Sequence, residues 1–225
     1  MSKTRRVSVA VLAALYSVSA LANTDDPAPE PSSTPVQAIW KAQELTFYYQ
    51  SFTTFYSCSS LETKVKRVLV AVGASKDMKI RTRGCTMRHE IAKMPYVEIT
   101  LLSPVEATPE ELAELDQTRS HRELVARVRG DSKQAELAET QFPAHWKRVS
   151  LSRGKLNLEP GDCELIEQLQ KKVFPKLAVR TVDDQVECAP NQISLTQPRL
   201  VVDVLSAMPT PDEGVKLALE EKDKS

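Results

Sequence analysis

Four cysteines are the first candidates for chemistry. Cys58 and Cys85 lie 27 residues apart, and Cys163 and Cys188 lie 25 apart. Neither spacing is the C-x-x-C of a disulfide oxidoreductase or a zinc ligand pair. Cys58 and Cys163 each stand at the start of a helical pattern, where a helix dipole would favour a thiolate. The three histidines, His89, His121 and His145, have no second histidine or cysteine at ligand spacing, so no metal is expected. Adjacent carboxylates occur at Glu110-Glu111 and Asp183-Asp184. Neighbours in a strand point to opposite faces, which is a poor start for paired acid–base work. No Gly-x-Ser-x-Gly elbow is present. The chain has 6 glycines, none clustered, which excludes a phosphate-cradling loop and with it a nucleotide cofactor. No cofactor and no catalytic residue is therefore assigned.

Two features point to binding instead. Trp40, Phe47, Tyr48, Tyr49, Phe52, Phe55 and Tyr56 fall within 17 residues. Strand alternation sends Phe47 and Tyr49 to one face and Tyr48 to the other. Phe47, Tyr49 and Phe52 are expected in the core, while Tyr48 and Tyr56 are candidates for an outward recognition face. Lys79, Arg81 and Arg83 alternate with Ile80 and Thr82, and would line the polar face of a neighbouring strand. An anionic ligand or a partner carboxylate could dock on them.

The elements that must position these residues repeat. Leu61, Val65, Val68, Leu69 and Val72 recur at helical spacing after Cys58, with Ser59 and Glu62 as a capping box and Gly73 as the stop. A strand follows over Met78 to Arg83. In the second half Asp162 is the expected N-cap of a helix starting at Cys163. Ile166, Leu169 and Val173 carry its apolar stripe, and Pro175 ends it. An irregular strand over Val179 to Val186 leads to Cys188. Strand-like runs flank both segments: Leu45 to Phe52 and Val97 to Leu101, then Lys147 to Ser152 and Arg199 to Leu205.

Each half thus reads strand, helix, strand, strand. The expected fold is α+β: two tandem βαββ-like halves, with helices packed on one face of a mainly antiparallel sheet. Four cysteines allow three pairings. A helix of ~15 residues rises ~22 Å and a strand of ~7 residues covers about the same distance. The start of each helix then meets the end of its strand, which favours Cys58–Cys85 and Cys163–Cys188.

Residues 1–22 read as a signal peptide. Lys3, Arg5 and Arg6 precede an apolar run from Val7 to Leu21, and Ala20-Leu21-Ala22 fits the cleavage rule. Export is the expected fate, to the periplasm or beyond the cell, with no stable membrane span after cleavage. The whole chain balances 30 basic against 30 acidic residues, but residues 23–225 carry 27 and 30. That balance argues against a nucleic-acid or anionic-membrane partner. Residues 23–39 form a Pro-rich linker, 40–107 the first half, 108–142 a charged helical connection opened by Thr108-Pro109-Glu110-Glu111, 143–207 the second half, and 208–225 a flexible tail. The connection is read either as a surface linker or as a lid or partner-binding arm.

The runs Phe52-Thr53-Thr54-Phe55-Tyr56-Ser57-Cys58, Phe142-Pro143-Ala144-His145-Trp146-Lys147 and Gly161-Asp162-Cys163-Glu164-Leu165-Ile166-Glu167 resemble a group of uncharacterised exported proteins of Gram-negative bacteria. The resemblance implies a periplasmic address and supplies no activity. The expected function is that of a non-catalytic binding or envelope-associated protein, with a protein or small ligand as partner. A periplasmic enzyme with a composite site, such as a hydrolase, is the alternative, followed by a thiol oxidoreductase.

Overall fold

The computed structural model describes residues 34–85, 91, 94–129, 140–152, 156, 158–189, 192 and 196–208. The expected signal segment, His89, residues 130–139 of the expected connection and the tail after Met208 lie outside them.

Among the described residues, six strands and three helices follow one another as β1 (Val36–Tyr48), α1 (Cys58–Ala71), β2 (Lys79–Arg83), β3 (Tyr96–Glu106), α2 (Pro109–Arg129), β4 (Gln141–Leu151), α3 (Cys163–Lys172), β5 (Val179–Gln185) and β6 (Arg199–Ala207). Every paired strand is antiparallel to its neighbour, and the sheet order is β2-β3-β1-β4-β6-β5. The expected α+β class and both disulfides, Cys58–Cys85 and Cys163–Cys188, are present.

The local signals act largely as expected, with instructive differences. The N-cap of α1 is Ser57, whose side chain accepts from the Ser60 N–H, rather than Ser59. Glu62 is thereby released from a capping box and instead accepts the Thr82 N–H of edge strand β2 at 2.7 Å. The α1 helix stops at Gly73, whose φ of 94° a side chain would strain. Pro175 falls in a short 3-10 turn, Phe174–Lys176, just past α3. β1 begins at Val36, so residues 36–39 of the expected linker belong to the sheet. It ends at Tyr48 rather than Phe52, because the chain turns there to run beneath α3.

β1 and β4 pair over four positions only, from Val36↔Ala144 to Ile39↔Gln141. The sheet is thus two three-stranded ladders, β2-β3-β1 and β4-β6-β5, joined by a short seam. Register assigns one face of both ladders to a single core. Leu45, Phe47, Val97, Ile99 and Leu101 from the first meet Leu151, Leu200, Val202 and Val204 from the second. Leu61, Val65, Val68 and Leu69 of α1 and Leu165, Ile166 and Leu169 of α3 complete it. At ~25 cal/mol per Å² this burial is the main driving force for the fold.

The α2 helix is attached differently. The Thr108 side chain accepts the Glu111 N–H, as the N-cap pattern predicts. Lys41 of β1 then donates to Glu111 at 2.8 Å and to Glu114 at 2.9 Å. Burial works against the Lys41 charge, but these two carboxylates outweigh it and raise its pKa. No described residue of α2 is buried, and Leu124 and Val128 stand exposed.

Candidate functional site

Opposite the core, the β2-β3-β1 ladder presents side chains in three cross-strand rows. Register places Lys79 beside Thr100 and Thr100 beside Glu44; Arg81 beside Glu98 and Glu98 beside Thr46; Arg83 beside Tyr96 and Tyr96 beside Tyr48. Directly opposed residues on antiparallel strands share a face, so these nine side chains form one surface. Tyr48 is 58% exposed, while its neighbours Phe47 and Tyr49 are buried, as alternation predicts.

The electrostatics of this surface are uneven. Arg83 makes a two-pronged pair with Glu98, Nε to Oε1 at 2.9 Å and Nη2 to Oε2 at 3.0 Å. Arg81, in the next row, has no ion-pair partner among the described residues. Tyr48 and Tyr96 contact each other at 4.8 Å between ring centroids, tilted by 47°. Glu44, Thr46, Lys79, Arg81, Glu98 and Thr100 border a shallow cavity of about 510 Å³. Such a surface can hold a polar ligand or an extended chain: cations for an anionic group, threonines for hydrogen bonds and an aromatic pair for an apolar edge. On the corresponding face of the second ladder two arginines are engaged. Arg148 pairs with Asp203 at 2.9 Å, and Arg180 lies over the Trp146 ring at 3.6 Å while reaching Glu106.

Four of the five sequence-derived binding candidates, Tyr48, Lys79, Arg81 and Arg83, therefore share one face. The fifth does not. Tyr56 is buried rather than outward, because its hydroxyl donates to the Asp162 carboxylate and to the Gly161 carbonyl. Asp162 is 1% exposed. Its other oxygen accepts from Lys64 Nζ at 2.7 Å and from the Glu159 N–H at 2.8 Å. Asp162 is thus not the side-chain N-cap of α3 but the centre of a polar cluster spanning both halves. Burial, then the bond to Asp162, pushes the Tyr56 pKa far up, and burial pushes Tyr49 up to about 12. Both perturbed tyrosines are sealed in the core rather than set in a cleft, where a catalytic acid would need to be.

A second carboxylate acts alongside. Glu164, in the first turn of α3, accepts from the Ser51 hydroxyl, from the Phe52 N–H and from Thr53 Oγ1 at 3.1 Å. The chain between β1 and α1 is pinned to the other half in this way. Phe52, expected in the core, is turned outward and is 66% exposed. No local pattern in the sequence signals these pairings. Tyr56 and Asp162 are 106 residues apart, and Ser51 and Glu164 are 113 apart.

The described residues contain no group of three His, Cys, Asp or Glu side chains able to hold a metal ion. His145 stands on β4 with Nδ1 buried and unbonded, and His121 is exposed on α2. All four cysteines are in disulfides. No helix among the described residues is long and apolar enough to cross a membrane. Comparison of the chain with protein-family models, with curated proteins and with solved structures gives no match.

Proposed function

We propose that this is an exported, envelope-associated protein that binds a partner or ligand without catalysis, on the open face of the β2-β3-β1 ladder. The observation that carries the reading is the three-row surface itself. Lys79 and Arg81, Glu44 and Glu98, and Thr46 and Thr100 border one cavity, and the aromatic pair stands in the adjoining row. The two disulfides fit an oxidising compartment. Together with the signal-like residues 3–22 and the resemblance to exported proteins, they support a periplasmic address. We also read the halves as copies of one unit. The strand order runs β2-β3-β1 in one and β5-β6-β4 in the other, and each disulfide ties the first residue of a helix to the residues just after the next strand.

A photo-crosslinking residue at Thr46, in the middle row, tests this in periplasm. The expected result is a recurrent adduct, or a co-purifying small molecule seen by native mass spectrometry, that is lost in Arg81→Glu. No adduct and no bound molecule, or an adduct indifferent to Arg81→Glu, would overturn the reading.

A further inference from the structure

Five of the eight large apolar side chains exposed among the described residues come from two neighbouring segments. Tyr48 (58%), Phe52 (66%), Phe55 (47%), Ile91 (45%) and Met94 (57%) all come from the chain leaving β1 and the chain entering β3. Two backbone contacts tie these segments together: the bridge Ser57↔Ile91 and the hydrogen bond from the Tyr49 N–H to the Pro95 carbonyl at 3.0 Å. The five side chains therefore crown one end of the molecule. The cavity on the sheet face is not lined by Phe52, Phe55, Ile91 or Met94.

Its exposure is enforced. The Thr53 and Thr54 N–H groups both donate to Ser51 Oγ, at 3.2 and 2.8 Å, and the Phe52 N–H donates to Glu164. The Tyr49 hydroxyl donates to the Thr54 carbonyl at 3.0 Å. The polar backbone groups of the loop face inward, so Phe52 and Phe55 cannot fold back onto the core. The same bonds satisfy the N–H groups of Phe52, Thr53 and Thr54 within the protein. A backbone whose N–H groups are bonded internally enters an apolar medium without stranding donors.

The chemistry changes in layers away from the crown. Behind Phe52, Phe55 and Met94 comes the row of Tyr48, Tyr96 and Arg83, and one row further along the strands comes Arg81. Lys172 of α3 stands at the tyrosine row, donating to the Tyr48 carbonyl at 2.7 Å. Rows two residues apart are spaced by ~7 Å. Apolar tip, then tyrosines, then cations is the order met on passing from acyl chains through the interface to lipid phosphates, over an insertion depth of ~5–10 Å. Among the described residues, Glu98 is engaged by Arg83 and Glu164 by the loop.

We infer that this crown is a lipid-docking surface, by which Phe52 and Phe55 enter the outer layer of a phospholipid membrane while Arg81 and Lys172 meet its phosphates. The mild acidity of residues 23–225 does not oppose this, because the contact is apolar at its centre and its charges are local. The surface shares Arg81 with the cavity proposed above, but Phe52 and Phe55 take no part in that cavity.

The test uses the protein as isolated from cells expressing the full chain, mixed with vesicles of phosphatidylethanolamine and phosphatidylglycerol. The protein is expected to sediment with the vesicles. A tryptophan in place of Phe52 should be quenched by lipids brominated on the acyl chain. In Phe52→Ser/Phe55→Ser the bound fraction should fall about tenfold or more, given the apolar area removed. Both side chains are exposed, so its melting temperature should match that of the parent. All forms share one N-terminus, so the difference reads the crown alone. A parent protein that stays in the supernatant overturns the inference, as does a double variant that sediments equally well. Loss of a captured protein partner in that variant, with no vesicle binding by the parent, would overturn it in favour of a protein-docking site. The Thr46 crosslink reports on the sheet face, which Phe52→Ser/Phe55→Ser leaves unaltered.

Discussion

At the scale of single residues, Asp162 carries more of the structure than any other polar group described. It is buried among partners from two halves: Tyr56 and Lys64 from one, the Glu159 backbone from the other. A buried carboxylate is tolerable only when its lone pairs are filled and its charge is balanced, and here both conditions hold. The two ways of damaging the cluster should differ in size. Asp162→Ala leaves the half-buried Lys64 ammonium without its counter-charge and the Glu159 N–H without its acceptor, and is expected to cost about 3–5 kcal/mol. Tyr56→Phe removes one donor and leaves the carboxylate paired with Lys64, at about 1–2 kcal/mol. Urea denaturation of the two variants, read as midpoints at constant slope, checks the order. Equal losses would show that the ion pair with Lys64 contributes little.

At the scale of elements, the turn that leaves α1 is the tightest place. Gly73 has φ of 94°, and a Cβ there would lie 2.8 Å from the Leu205 carbonyl oxygen of β6. The last turn of α1, in one half, therefore rests directly on a strand of the other. Gly73→Ala combines left-handed strain with a backbone clash, and is expected to destabilise by about 2–3 kcal/mol. A calorimetric melting temperature no lower than the parent's would refute this account. The same physics decides which elements are legible in the sequence. Helices α1 and α3 are legible because their apolar residues repeat at helical spacing and each is punctuated, by Gly73 in one case and Pro175 in the other. The long strands show only their middles. Gln141 to Trp146, for example, mixes proline, histidine and small residues without clean alternation, and pairs because β1 and β6 flank it. The bounds of a strand are set by its neighbours more than by its own side chains.

For the molecule as a whole, the shared core and the carboxylate clusters predict one cooperative unit. Leu45 and Phe47 lie in the same core as Leu200 and Val202, and Glu164 and Asp162 clamp the first half to the second. The chain should therefore melt in a single calorimetric transition, with van't Hoff and calorimetric enthalpies equal. Cys85→Ser, which opens a loop worth ~3.5 kcal/mol in the chain-entropy model, should move that whole transition down rather than split it. Two resolved transitions, in the parent or in the variant, would mean that the halves fold separately.

From the amino-acid order alone came the features that depend on near neighbours: two helices with their stops, two polar-and-apolar alternations, the α+β class and the cysteine pairing. Each rests on interactions spanning a few residues, or on the short closed loops that a helix and its following strand make geometrically inevitable. The alternation also determined that Tyr48, Lys79, Arg81 and Arg83 stand on strands with an outward face, and register then brought them onto the same one. Only the tertiary structure decided the fates of Phe52 and Tyr56. Burial rank favours a phenylalanine over a tyrosine for the core. Here the Asp162 carboxylate, 106 residues away, satisfies the Tyr56 hydroxyl and lets that ring in. Glu164, 112 residues from Phe52, holds the loop backbone inward and turns that ring out. The identity of a partner at that separation leaves no periodic trace in the sequence, because it is fixed by how two ladders meet and not by either of them.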